Sequence, residues 1–172
     1  MKRVFPSLMF FLVVWTSALA ANCPEIHVCF DPPGGCIDSI VAELNRAQKT
    51  ILVQAYTFSS KAISGALVDA HKRGVKVDVI LDKSQKKDRY TEAITLLHAG
   101  IRTLIDPEHT IAHNKVMVID DRVVITGSLN FTQTVEERNA ENLLVIRDKE
   151  TAETYTKNWQ AHEAHSEPFD AK

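Results

Sequence analysis

At 172 residues, with 20 Lys and Arg against 22 Asp and Glu, the chain has a formal net charge of −2. That balance excludes a global basic field, so any site for a polyanion has to be local. The length suits one domain with a processed end.

Residues 1–20 read as a secretory signal. Lys2 and Arg3 make a positive start, Phe5 to Trp15 is mostly apolar, and Ala18-Leu19-Ala20 offers small residues for cleavage. The apolar part is short for a bilayer span, which sets the signal above its alternative, an uncleaved anchor. Removal of Lys2 and Arg3 leaves 18 basic against 22 acidic residues, a net charge of about −4. The expected location is periplasmic or secreted, with no stable membrane insertion after signal removal. Cys23, Cys29 and Cys36 crowd the next segment, 21–36. Export to an oxidising compartment favours one disulfide and leaves one thiol, and the sequence does not choose the pair.

The remainder, 37–172, is expected to be a single catalytic domain. Before it, Ile26–Phe30 fits a short strand, followed by the turn-rich Asp31-Pro-Pro-Gly-Gly35. Asp38 to Lys49 places Ile40, Val41, Leu44 and Ala47 at helical spacing. Residues 51–58 form a β-rich run. Ser59 or Ser60 then caps a predicted helix carrying Ile63, Ala66, Leu67 and Ala70, closed by Arg73-Gly74. Residues 75–81 alternate as a strand, and Tyr90–Ala99 reads as a helix closed by Gly100. After 101–105 come strand candidates at Val116–Ile119, Val123–Gly127 and Leu143–Ile146. A last helix from about Glu150 to His162 turns Ala152, Tyr155 and Trp159 inward. This order predicts an α/β/α sandwich, a mixed sheet with helices on both faces and a βαβ unit across 51–81.

The chemistry concentrates in AHNKVMVIDDRVVITGSLNFT, which holds His113, Lys115, Asp120, Gly127, Ser128 and Asn130 at fixed spacing. This run resembles the signature of the phospholipase D superfamily, and most of 37–160 is similar to its small single-motif endonucleases. The resemblance implies cleavage of phosphodiester bonds through a phosphohistidine, with no cofactor and no metal. It makes His113 the nucleophile and includes Lys115 and Asp120 in the catalytic set. It also favours Glu141 as the acceptor that holds the imidazole.

The residue types agree with that chemistry. A nucleophilic imidazole needs its other nitrogen held by an acceptor. Lys115 supplies positive charge to a phosphate oxygen, and Ser128 and Asn130 supply hydrogen bonds to the same phosphoryl group. Strand alternation puts His113, Lys115, Met117 and Ile119 on one face and Asp120 on the other. A regular strand therefore keeps Asp120 from orienting His113 directly, and leaves it the turn Asp120-Asp121-Arg122 or a partner elsewhere.

One motif supplies one imidazole, whereas displacement at phosphorus in two steps needs a nucleophile and a general acid. Single-motif members of the superfamily pair, which implies a homodimer that brings His113 against its symmetry mate, with DNA as substrate and RNA as a further one. The alternative is hydrolysis of phospholipid headgroups. It is disfavoured because no exposed apolar stretch is expected beyond the signal.

Other features carry less. His109 and His113 lack the intervening carboxylate of a helical zinc motif. His162 and His165 are expected on a solvated face. Asn130-Phe-Thr132 matches a glycosylation acceptor by accident. The basic loop from Lys83 to Arg89 follows a strand at its carboxyl end, where substrate phosphates are favoured.

Overall fold

The computed structural model describes residues 23–132 and 139–170. The predicted signal lies outside them. The described residues form eight strands: β1 (Glu25–Asp31), β2 (Thr50–Ala55), β3 (Lys76–Asp82), β4 (Arg102–Asp106), β5 (Lys115–Ile119), β6 (Val123–Gly127), β7 (Glu141–Arg147) and β8 (Glu167–Pro168). They pair in the order β1-β7-β6-β5-β2-β3-β4-β8. β2, β3 and β4 run parallel, and the other neighbours are antiparallel.

Helices α1 (Cys36–Arg46), α2 (Lys61–Lys72) and α3 (Ala93–His98) cover one face. Ile40, Leu44, Ile63 and Leu67 pack there with Val53, Val79, Met117 and Ile125 in the main core. Helix α4 (Lys149–Glu163) covers the other face, where Ala152 meets Val116, Val118 and Val124 while Trp159 packs on Ile80 and Leu104. The Trp159 indole N–H donates to the Val53 carbonyl at 2.9 Å, so its one polar atom is satisfied in the core. The sandwich is the one the pattern predicts.

Local chemistry sets the boundaries. Ser60 is the cap of α2, accepting from the Ile63 N–H, and Asp148 caps α4 through the Thr151 N–H. Gly74, at φ 90°, ends α2 in the left-handed conformation that glycine adopts without penalty. The helix predicted over Tyr90–Ala99 shrinks to α3. The Asp88 carboxylate accepts from the Tyr90 N–H, Thr91 Oγ1 accepts from the Ala93 N–H, and the Glu92 N–H goes to the Phe58 carbonyl, so these residues form turns instead. Cys29 and Cys36 form the disulfide and Cys23 is a free, exposed thiol.

Two expectations need correction. Ile26, Val28 and Phe30 lie on one face of edge strand β1 and are exposed, so an apolar stretch does exist outside the signal. They stand beside Ile146, Leu144 and Asn142 of β7, while α4 packs mainly against β2, β4, β5 and β6. His162 and His165 are half-buried instead of lying on a solvated face: with His109 they gather around the fully buried Asp106. Among the described residues, no helix is long and apolar enough to cross a membrane.

Candidate active site

The pairing brings the ends of β1, β2, β3, β4 and β6 and the starts of β5 and β7 to one edge of the layer. Ala55 lies opposite Lys115, Gly127 opposite Leu143, and Asp31 opposite Glu141. Four of the predicted functional residues, Lys115, Ser128, Asn130 and Glu141, sit in or beside these ends, and His113 directly precedes β5.

His113 is exposed while Lys115 is buried, at 6% accessibility. The Lys115 ammonium lies 2.9 Å from Nδ1 and 3.1 Å from Nε2 of the His113 ring, and donates to the His113 carbonyl at 2.8 Å. The Tyr56 ring leans on the imidazole with centroids 4.7 Å apart, and the ammonium lies 5.5 Å from the Tyr56 centroid. Tyr56 is itself held by the Asn114 carbonyl, which accepts from its N–H at 2.9 Å. Burial pushes the Lys115 ammonium below the usual lysine range, and the nearby Glu141 carboxylate acts in the opposite sense. Lys115 is thus a partly desolvated cation beside an open imidazole, an arrangement that favours a phosphate oxygen.

Glu141 is engaged by its neighbours. Ser128 Oγ donates to it at 2.5 Å and Asn139 Nδ2 at 3.3 Å. Ser128 Oγ in turn accepts from the Asn142 N–H and side-chain amide at 3.0 and 3.2 Å. Among the described residues, no hydrogen bond joins Glu141 to His113. The carboxylate reaches that centre through Lys115 by charge. Asn130 is half-buried, and its Oδ1 has no hydrogen-bond partner among the described residues.

Gly127 explains why the turn before Ser128 needs glycine. Its φ is 155°, and a Cβ there would stand 2.2 Å from the Asn142 carbonyl oxygen. Only a residue without a side chain lets β6 approach β7 closely enough to hang Ser128 over Glu141.

Asp120 is not in this constellation, which corrects its place in the catalytic set. Its carboxylate accepts the N–H groups of Gln48, Lys49 and Thr50 at 2.8, 2.7 and 2.9 Å. Five residues of strand separate it from Lys115, about 17 Å at a rise of about 3.4 Å per residue. It lies in the left-handed turn just after β5 and fixes the entry to β2.

Two positioning residues escaped the sequence reading. Asp82, 2% accessible at the end of β3, accepts from the Ala112 N–H at 2.7 Å and from Ser84 N–H at 2.8 Å, pinning the residue before His113. Tyr56 was masked inside an apolar run. Its only signal was that it follows β2, whose partner across the sheet is β5. The basic loop from Lys83 begins as a 3-10 turn (Lys83–Lys86); Lys86 pairs with Glu167 at 3.3 Å, and the Arg89 guanidinium lies over the Tyr90 ring. A groove of about 490 Å³ opens beside the site, lined by Thr57, Ser59, Lys61, Tyr90 and Thr132 among others. A larger opening, lined by Asp120, Arg122 and Arg147, belongs to the opposite end of the sheet and contains none of the His113 set.

An exposed imidazole, a buried ammonium and hydroxyl and amide groups at one sheet edge are a donor set that suits phosphoryl transfer. Residues 40–162 match the family described as "Cardiolipin synthase, PLD-like domain". A phospholipase D of Rickettsia typhi is 45% identical over 140 residues, covering 81% of this chain and 69% of that protein. The mitochondrial cardiolipin hydrolase of Xenopus tropicalis is 32% identical over 152 residues, covering 86% and 70%. Among solved structures, the phospholipase D family member Nuc from Salmonella typhimurium superimposes with a TM-score of 0.81 at 32% identity, covering 85% of this chain and 98% of Nuc. NucT from Helicobacter pylori shares the fold at a TM-score of 0.79 and 22% identity. The chain belongs to the phospholipase D superfamily. It is a phosphodiester hydrolase.

Proposed function

We propose that this hydrolase cleaves DNA, with RNA as a further substrate, through a phosphohistidine on His113 in a site completed by a second copy of the chain. The observation that carries this reading is the buried Lys115 ammonium 2.9 Å from the exposed His113 ring. A ring nitrogen of His113 attacks phosphorus, and the P–O bond to the leaving group breaks. Lys115, Ser128 and Asn130 take the charge gathering on the non-bridging oxygens. The leaving oxygen needs a proton. Among the described residues, the ring packed on His113 is Tyr56, and no second imidazole contacts it. The partner's copy of the same histidine fits the acid role, then takes a proton from the water that breaks the P–N bond. Tyr90, 66% exposed in the groove beside the site, offers a face on which a base can stack, although Asp88 and Glu92 line the same groove with Lys61. The Cys29–Cys36 disulfide supports export to an oxidising compartment.

Turnover of single-stranded DNA at 25 °C in excess EDTA, abolished in His113→Ala, is the expected result. Loss of turnover in EDTA with the fold intact counts against the chemistry. Mixed dimers of wild type and His113→Ala should be inactive, and active ones refute the shared site.

Phospholipid hydrolysis is the second reading, favoured by the exposed Ile26, Val28 and Phe30 and by the names of the Rickettsia typhi and Xenopus tropicalis relatives. Vesicles of phosphatidylcholine or cardiolipin turned over faster than DNA would put it first.

A further inference from the structure

Three imidazoles and a carboxylate converge on one point at the end of β4. Asp106, fully buried, places Oδ2 at 2.9 Å from His162 Nδ1, 3.0 Å from His109 Nδ1 and 3.3 Å from His165 Nε2. The four ligand atoms all lie within 4.8 Å of one another. The rings pack with centroids 4.9 to 5.4 Å apart. His165 Nε2 is buried yet makes no aligned hydrogen bond, so a ring nitrogen points into the cluster with its lone pair or proton unused. Bond lengths of about 2.0–2.2 Å to zinc give tetrahedral edges of about 3.3 Å, within a few tenths of the three oxygen–nitrogen separations. Outside that shell, His165 Nδ1 lies 3.0 Å from Glu108 Oε2, the carboxylate–imidazole pairing that orients metal-bound histidines.

We propose that Asp106, His109, His162 and His165 bind one zinc ion. Nitrogen and carboxylate donors in a closed four-ligand set suit Zn²⁺ in a structural role, since no position is left for a substrate. The sequence spacing is D-x-x-H on the exit of β4 and H-x-x-H at the end of α4. The ion therefore staples the last helix to the loop that runs from Pro107 to His113. It takes no part in the reaction. β4 and β5 are separated by β2 and β3, which puts the ion about 14 Å along the same sheet edge from Lys115 at about 4.8 Å per strand.

The test uses the full mature chain stripped of metal by chelator and dialysed. Added zinc should bind at one ion per chain and raise the thermal midpoint by several degrees. Cobalt(II) in its place should give the intense visible absorption of four-coordinate cobalt. His109→Ala, at a half-exposed position that tolerates truncation, and His162→Ala should each abolish the cobalt spectrum. The exposed His98→Ala should keep it. Glu108→Gln should weaken zinc binding by about 10- to 100-fold. No uptake by folded wild type, or a spectrum unchanged in His109→Ala, overturns the proposal; so does a spectrum lost in His113→Ala. Turnover per folded molecule is measured on the same variants. Uptake without DNA cleavage defeats only the functional reading, and cleavage without uptake defeats only the zinc site.

Discussion

Replacing Asp120 by asparagine separates anchoring from chemistry in the signature motif. Asp120 has φ 53° and Asp121 the same, the left-handed pair of a tight hairpin closed by the Arg122 N–H on the Ile119 carbonyl at 3.1 Å. Asparagine adopts that conformation readily, so the turn survives the substitution. Its single carbonyl oxygen keeps the Lys49 and Thr50 bonds that Oδ1 accepts, now neutral, and loses the Gln48 bond at Oδ2. A bond to a charged group contributes about 1.5–3 kcal/mol, and the Gln48 and Lys49 contacts are solvent-exposed, so the expected loss is about 2 kcal/mol. Asp120→Ala removes all three acceptors and should lose about 4 kcal/mol. For a chain of this size the asparagine variant should melt about 4–8 °C lower. Urea unfolding gives the stability, and kcat/KM at 25 °C on the folded fraction gives the activity. Turnover should stay within about threefold of wild type, because a group about 17 Å from Lys115 along the strand cannot touch the phosphate. A hundredfold loss of kcat/KM with an unchanged melting midpoint would refute the reasoning.

Gly127→Ala forces a Cβ to 2.2 Å from the Asn142 carbonyl oxygen, with backbone on both sides unable to yield. The expected loss is at least about 3 kcal/mol by chemical denaturation, with Ser128 and Glu141 displaced and turnover falling with it. Lys115 carries a lowered pKa, so as pH rises below the ordinary lysine value of 10.5 its charge is lost early and activity should fall on the alkaline side. Over the same interval the unfolded chain binds more protons than the folded one, so the Lys115 contribution to stability rises with pH. Glu141→Gln removes the charge that raises the Lys115 pKa and should move the alkaline limb of the pH–rate profile lower still; an upward movement contradicts the assignment. Cys29→Ser with Cys36→Ser opens a short loop and should lower unfolding free energy by about 2.5 kcal/mol, read by urea titration with the oxidised wild type as reference.

Much of this molecule was legible locally. The apolar runs Val116–Ile119 and Val123–Gly127 marked two strands, and Asp120, in the turn at the far end of β5 from Lys115, holds the entry to β2. Ser60 and Gly74 bounded α2 because capping and left-handed backbone depend on single residues. Periodicity describes one element at a time, however, and what lies beside that element is decided by burial across the whole chain. Only the assembled sheet placed β1 on the far edge next to β7, which exposed Ile26, Val28 and Phe30 and brought Cys29 to Cys36 instead of Cys23. Only the packing of α4 across the sheet carried His162 and His165 to Asp106, 56 and 59 positions away in the chain and sharing no local pattern with it. The sequence by itself determined the strand and helix segments and singled out the candidate residues of one motif; the tertiary structure decided which side chains meet, because contact between distant segments follows from the shared core and not from spacing.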